Sequence, residues 1–210
     1  MGETAMKQLT NAEISAKVKK AMKDEAAAIA YLADYVDGDQ ISAVVNLIAN
    51  HKGRIFTSAC GTSGVTAKKI AHTLSCIEVP ASFLSPADAV HGALGRVKPG
   101  DIMIFVSKGG KSGELMPMLG ACKAKGVTVI TTTEKPEGEL ARESDYIVPM
   151  NINYEADPFN MLATSSTLSA MSIWDAIAIT LIEVTEYTRD QFAIIHPGGA
   201  VGERLLNGKA

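Results

Sequence analysis

The chain has 210 residues, 47% hydrophobic but only 5% aromatic, and a formal net charge of -3. That length can build one good core, no linker divides it, and the small and branched side chains suit α/β packing better than a β-sandwich. With no concentrated basic surface, nucleic acid is not expected as a partner, and a small molecule is.

Cys60, Cys76 and Cys122 are an odd set without metal-type spacing, which points to free thiols in a reducing compartment, no disulfide framework and no metal site. Met1 to Lys7 lacks the apolar stretch of a signal peptide, and Met6 stands where a myristoylation motif wants Ser or Thr. A cytoplasmic protein is expected.

Thr10-Asn11-Ala12-Glu13 reads as a capping box that opens a long helix. Its apolar face runs through Ile14, Val18, Met22, Ala26, Ile29, Leu32 and Val36, mostly four apart, until Asp37-Gly38-Asp39 ends it. Such a face packs on the sheet or on another subunit. A second helix is expected over Ile41 to Ala49, then a strand over Gly53 to Ala59. Cys60-Gly61-Thr62-Ser63-Gly64 forms a turn before a helix from Val65 to Ser75. Pro80 to Leu84 is a short strand, Pro86 to His91 a helical turn, and Asp101 to Ser107 a third strand. The Gly-rich segment Ser107-Lys108-Gly109-Gly110-Lys111-Ser112-Gly113-Glu114 leads into a helix from about Gly113 to Lys125. Strands at Val127 to Thr132 and Tyr146 to Val148 complete the set. The pattern predicts an α/β fold: a doubly wound, five-stranded parallel sheet in flavodoxin-like order with helices on both faces.

Hydroxyls of Thr164-Ser165-Ser166-Thr167 are expected to cap a helix reaching about Tyr187. That helix is apolar on most sides, but Asp175 falls mid-run and the uncharged stretch is shorter than the ~20 residues a bilayer needs, so it reads as a buried central helix and not a membrane span. His196-Pro197-Gly198-Gly199-Ala200-Val201-Gly202 must start as irregular structure.

In this sheet order, ligands bind beyond the carboxyl ends of the first and third strands. Gly61, Thr62 and Ser63 would then face Ser107, Lys108, Lys111 and Ser112 across one crevice, presenting hydroxyls, ammonium groups and helix N–H groups to an anion. Neither loop is a P-loop, and no G-x-G-x-x-G is present. Glu114 sets a carboxylate beside the anion, as a general base or simply as a first-turn helix residue. His91 and His196 stand at loop edges where side chains can be functional, whereas His51 and His72 read as ordinary surface or core residues; Cys60 is by position a candidate reactive thiol or simply a small buried residue.

From Ser58 to Arg204 the pattern resembles the sugar isomerase (SIS) family, and within it the arabinose-5-phosphate isomerases. The matching pieces are Pro86 to Gly92, Val106 to Glu114, Thr164 to Thr167 and, most specifically, His196 to Gly202. The resemblance implies an aldose–ketose isomerase without cofactor. Glu114, Glu155, His91 and His196 would be its polar active-site group, Ser/Thr loops including Ser165 would hold the phosphate, and active sites would lie at subunit contacts of a homotetramer. Residues 1–52 would then be N-terminal helices that also pack on other subunits, and 53–210 the SIS domain. The chain reaches Ala210 without the CBS pair many of these isomerases carry, so no nucleotide-sensing module is expected. Two departures stand out. Thr62 replaces the family's active-site lysine, as in the phosphate loop of the isomerase half of glucosamine-6-phosphate synthase, and the second loop exchanges a carboxylate and a hydroxyl for Lys108 and Lys111. One of these two lysines is expected to restore the lost charge.

Overall fold

The structure is a computed structural model describing residues 7–198 and 202. Helix α1, Asn11–Tyr35, opens on the expected capping box: Glu13 N donates to Thr10 Oγ1 at 3.3 Å, and Thr10 N donates to Glu13 Oε2 at 2.8 Å. Asp37 does more than end α1. Its Oδ1 accepts from Asp39 N at 2.8 Å, so helix α2 spans Gly38–Ala49 and begins three residues earlier than Ile41.

The strands are β1 (Ile55–Ser58), β2 (Ala81–Phe83), β3 (Ile102–Val106), β4 (Thr128–Thr133) and β5 (Tyr146–Pro149). They pair in the order β2-β1-β3-β4-β5, all parallel, which is the doubly wound arrangement expected from the alternating pattern. Between them run α3 (Gly61–Ser75), α4 (Pro86–Ala89), a 3-10 turn (Ala93–Arg96), α5 (Met116–Ala124) and α6 (Glu139–Arg142), followed by α7 (Ser165–Val184) and α8 (Arg189–Ile195).

Every residue of β1 and β3 is buried, because both faces of the sheet are covered. On one face Leu32, Val45, Ile70, Leu74, Trp174 and Ile177 pack against Ile55, Ile104 and Ile130. On the other, Leu84, Val97, Met118, Leu119 and Leu140 pack against Phe56, Met103, Phe105 and Val129. Helix α7 is long and apolar enough to cross a membrane, but Ile173, Trp174, Ile177 and Leu181 lie buried in the first of these layers. Asp101 ties the amino edge together, accepting from Arg54 N at 2.9 Å and Lys98 N at 2.7 Å.

Three local expectations are corrected at the opposite, carboxyl edge. Gly61, Thr62 and Ser63 are the first turn of α3 and not a loop before it, because Gly61 takes a left-handed φ of 56° that turns the chain straight out of β1. Helix α5 starts at Met116, leaving Gly113, Glu114 and Leu115 in a turn ahead of it. Thr164 makes no side-chain cap on α7; that position is filled by Glu155. Of the His196 to Gly202 segment, Gly199, Ala200 and Val201 lie outside the described residues, as do Met1 to Met6 and residues 203–210.

Candidate functional site

Where strand order reverses between β1 and β3, an open cleft of about 350 Å³ lies beyond their carboxyl ends. Its walls are Cys60, Ser63, Val106, Ser107, Lys108, Gly109, Lys111 and Ser112. The sequence thus brings two distant Ser/Gly segments together through the parallel pairing of β1 with β3, in register from Ile55–Ile102 to Ser58–Phe105. No side chain among the described residues caps the start of α3, so its first-turn N–H groups are available to an anion.

The second segment is rigid. Ser107 N donates to Thr132 O at 3.0 Å, Ser107 Oγ and Ser112 Oγ share a hydrogen bond of 2.9 Å, and Leu140 N donates to Gly110 O at 3.2 Å. At Gly110, φ is 64°, and a Cβ there would stand 3.3 Å from Lys135 O, so this turn is closed to larger residues. The loop therefore presents its hydroxyls from a fixed backbone.

Five of the expected anion-binding residues, Ser63, Ser107, Lys108, Lys111 and Ser112, line the cleft. Gly61 and Thr62 lie beside it as exposed first-turn residues of α3. Ser165 does not reach it: the residue is fully buried at the start of α7, its hydroxyl without a partner among the described residues. Glu114 is exposed next to the cleft, close enough to Cys60 that its carboxylate, after burial, raises the thiol above the usual cysteine range.

Glu155 is 2% exposed. Its Oε2 accepts from Thr164 N at 3.0 Å and Ser166 N at 3.1 Å, and so caps α7 from nine residues upstream. Its Oε1 accepts from Ser166 Oγ and from Lys108 Nζ at 2.5 Å. Burial by itself would raise this carboxyl, but the bonds from Lys108, Ser166 and Thr164 together hold it below the usual range. Glu155 is thus kept ionised.

The histidines do not join the cleft within one chain. His91 is exposed in the turn after α4, on the carboxyl edge but beyond β1. His196 ends α8, stacked on Phe192 with ring centroids 3.8 Å apart, its Nδ1 2.9 Å from Phe192 O. Gln191 of α8 lines a cavity with Ile55, Val79 and Pro80, which places α8 at the amino edge, across the sheet from the cleft.

Cys60, expected to be a small buried residue with a reactive thiol as the alternative, is half-buried in the cleft wall. One further residue with a place here was not singled out from the sequence. Glu134 follows the last residue of β4, a position at the ligand-binding edge that the strand pattern alone could have flagged. Its Oε1 is buried without a hydrogen-bond partner among the described residues.

Residues 47–180 match the SIS domain, nearly two-thirds of the chain and all five strands. The chain belongs to the SIS family. This SIS domain is 35% identical over 189 residues to arabinose 5-phosphate isomerase KpsF of Escherichia coli O6:H1, covering 90% of this chain and 58% of that protein. It thus spans little more than half the length of the curated relatives it matches. Among solved structures, a candidate sugar-phosphate isomerase from Listeria monocytogenes superposes with a TM-score of 0.89 at 43% identity, covering 91% of this chain and 100% of that one. The Escherichia coli CFT073 protein c3406, solved in complex with A5P, superposes with a TM-score of 0.86 at 27% identity, over 90% of this chain and 100% of its own.

Proposed function

We propose that this SIS domain is an aldose–ketose isomerase that interconverts D-ribulose 5-phosphate and D-arabinose 5-phosphate through an enediol. The observation that carries the reading is the switch-point cleft: hydroxyls, lysines and free helix N–H groups suited to a phosphate, with an exposed carboxylate at its margin. The likeness to KpsF and to the A5P-bound c3406 supports the same substrate class. The chemistry requires a base that shuttles a proton between C1 and C2, and phosphate binding remote from those carbons supplies energy to position them. Glu114 is the proposed base, since Glu155 is already committed to Lys108 and the start of α7.

His91 and His196 would serve ring opening or proton movement between oxygens. Because α8 lies at the amino edge in a single chain, His196 would reach a cleft only on another subunit, which favours a homotetramer with shared sites. Unpartnered apolar side chains on α1, Ile14, Val18 and Met22, fit the same assembly.

The reaction is tested with pentose, hexose and heptose phosphates, followed by isomerisation from D-ribulose 5-phosphate in heavy water. Deuterium at C2 of the D-arabinose 5-phosphate product is expected, and Glu114→Gln should lower both turnover and incorporation by about 10²-fold or more. Near-wild-type exchange in that variant removes Glu114 from the role. Turnover of a 3-hexulose 6-phosphate or sedoheptulose 7-phosphate in place of the pentose would reassign the substrate. Binding of a sugar phosphate without turnover of any would make the domain a regulator.

A further inference from the structure

Lys108 and Lys111 line the same cleft from the same loop, three residues apart, yet their surroundings differ. The Lys108 ammonium is bonded to Glu155, a carboxylate that is itself sealed from solvent and holds the first N–H groups of α7. The main chain of Lys108 is pinned as well: its carbonyl accepts from Thr133 Oγ1 at 3.1 Å and from Glu134 N at 3.2 Å. The Glu134 carboxylate, with one oxygen buried and unpartnered, lies in the field of the same ammonium. Lys111 by contrast is exposed, follows the rigid Gly110 turn, and makes no ion pair among the described residues.

An ammonium that turned from Glu155 toward a bound anion would leave a buried carboxylate without its counter-charge, an arrangement that proteins tolerate poorly. Turning Lys111 toward the same anion breaks no ion pair among the described residues. Ser107 and Ser112, already hydrogen-bonded to each other, stand beside it.

We infer that the two lysines divide the work: Lys111 is the cation that binds the substrate phosphate, and Lys108 is a positioning residue, neutralised by Glu155 and flanked by Glu134, that fastens the phosphate loop to the start of α7. This rests on the phosphate-binding part of the proposed function and not on the isomerisation itself.

The test is binding of inorganic phosphate at constant ionic strength, read as the phosphate-dependent rise in melting temperature of the full chain. Lys111→Gln should weaken phosphate binding by about tenfold or more with the unliganded melting temperature unchanged. Lys108→Gln should lower the unliganded melting temperature, because Glu155 loses its partner. The double variant Lys108→Gln with Glu155→Gln should recover most of that loss and bind phosphate within about threefold of the unaltered protein, since the coupling between two contacting residues is what such a cycle measures. Phosphate binding lost in the double variant as severely as in Lys111→Gln would make Lys108 a phosphate ligand and overturn the assignment. So would Lys111→Gln binding phosphate like the unaltered protein. The expected binding pattern without turnover of any sugar phosphate would sink the isomerase reading and leave the division of labour standing.

Discussion

Two glutamates feel the same lysine and respond in opposite directions. Glu155 is stabilised as the anion by hydrogen bonds that outweigh its burial, so its contribution to stability is present above the unfolded carboxylate pKa and fades as pH falls through its lowered value. Glu134 is dominated by burial: Lys108 and a backbone hydrogen bond from Ile152 help the charged form, Glu155 opposes it, and the carboxyl is raised. A raised carboxyl in the folded state means that the ionised form costs stability at neutral pH, and that the cost disappears once both states are protonated. Glu134→Gln should therefore raise the melting temperature at pH 8, with the gain gone by about pH 4; a lower melting temperature at pH 8 would mean that attraction to Lys108 outweighs burial. Residue identity announced the hydroxyls and lysines of the cleft, because Ser, Gly and Lys after a strand carry their chemistry openly. It did not announce which lysine is engaged, since that depends on Glu155, 47 residues beyond Lys108 and folded over it.

At the level of elements, the alternation of strands and helices and the order of the sheet were readable from apolar runs and Gly-rich punctuation, because the central strands β1 and β3 are buried along their whole length. Helix starts were less readable. The cap on α7 comes from a glutamate in the preceding loop and not from its own Thr164, and the start of α5 is marked by Pro117 in its first turn, a better guide than Gly113. Trp174 shows how α7 is fixed in rotation as well as in place: its indole Nε1 donates to Thr132 Oγ1 at 2.9 Å, with both residues buried. Trp174→Phe should cost about 1–3 kcal/mol for the orphaned hydroxyl alone, and more for the space left behind, seen as a lower denaturant midpoint. Adding Thr132→Val should return part of that loss; if it does not, the hydrogen bond is not what Trp174 contributes.

At the scale of the whole molecule, α1 is only partly used by its own chain. Ala28 and Leu32 are buried, whereas Ile14, Val18 and Met22, one turn apart on the first half of the helix, are about half exposed or more. Phe159, Met161 and Leu162 add a second exposed apolar group on a loop whose turn is held by Asp157. Val18→Glu with Met22→Glu should reduce the mass measured by light scattering at micromolar concentration and, if His196 serves a neighbour's cleft, isomerase turnover with it. An unchanged mass would exclude this stripe from the contact.

The order in which the layers are laid down has a consequence for how the protein is made. Every strand pair here needs a crossover, and α7, which supplies Ile173, Trp174, Ile177 and Leu181 to one face of the sheet, follows the last strand. At roughly 5–20 residues per second, the stretch between the end of β5 and the end of α7 takes about 2–7 s to synthesise. α7 therefore emerges later than β5 by about that interval, and until it does the α7 side of Ile104 and Ile130 is open. The nascent chain thus keeps an apolar face of its finished sheet uncovered until α7 arrives to close it.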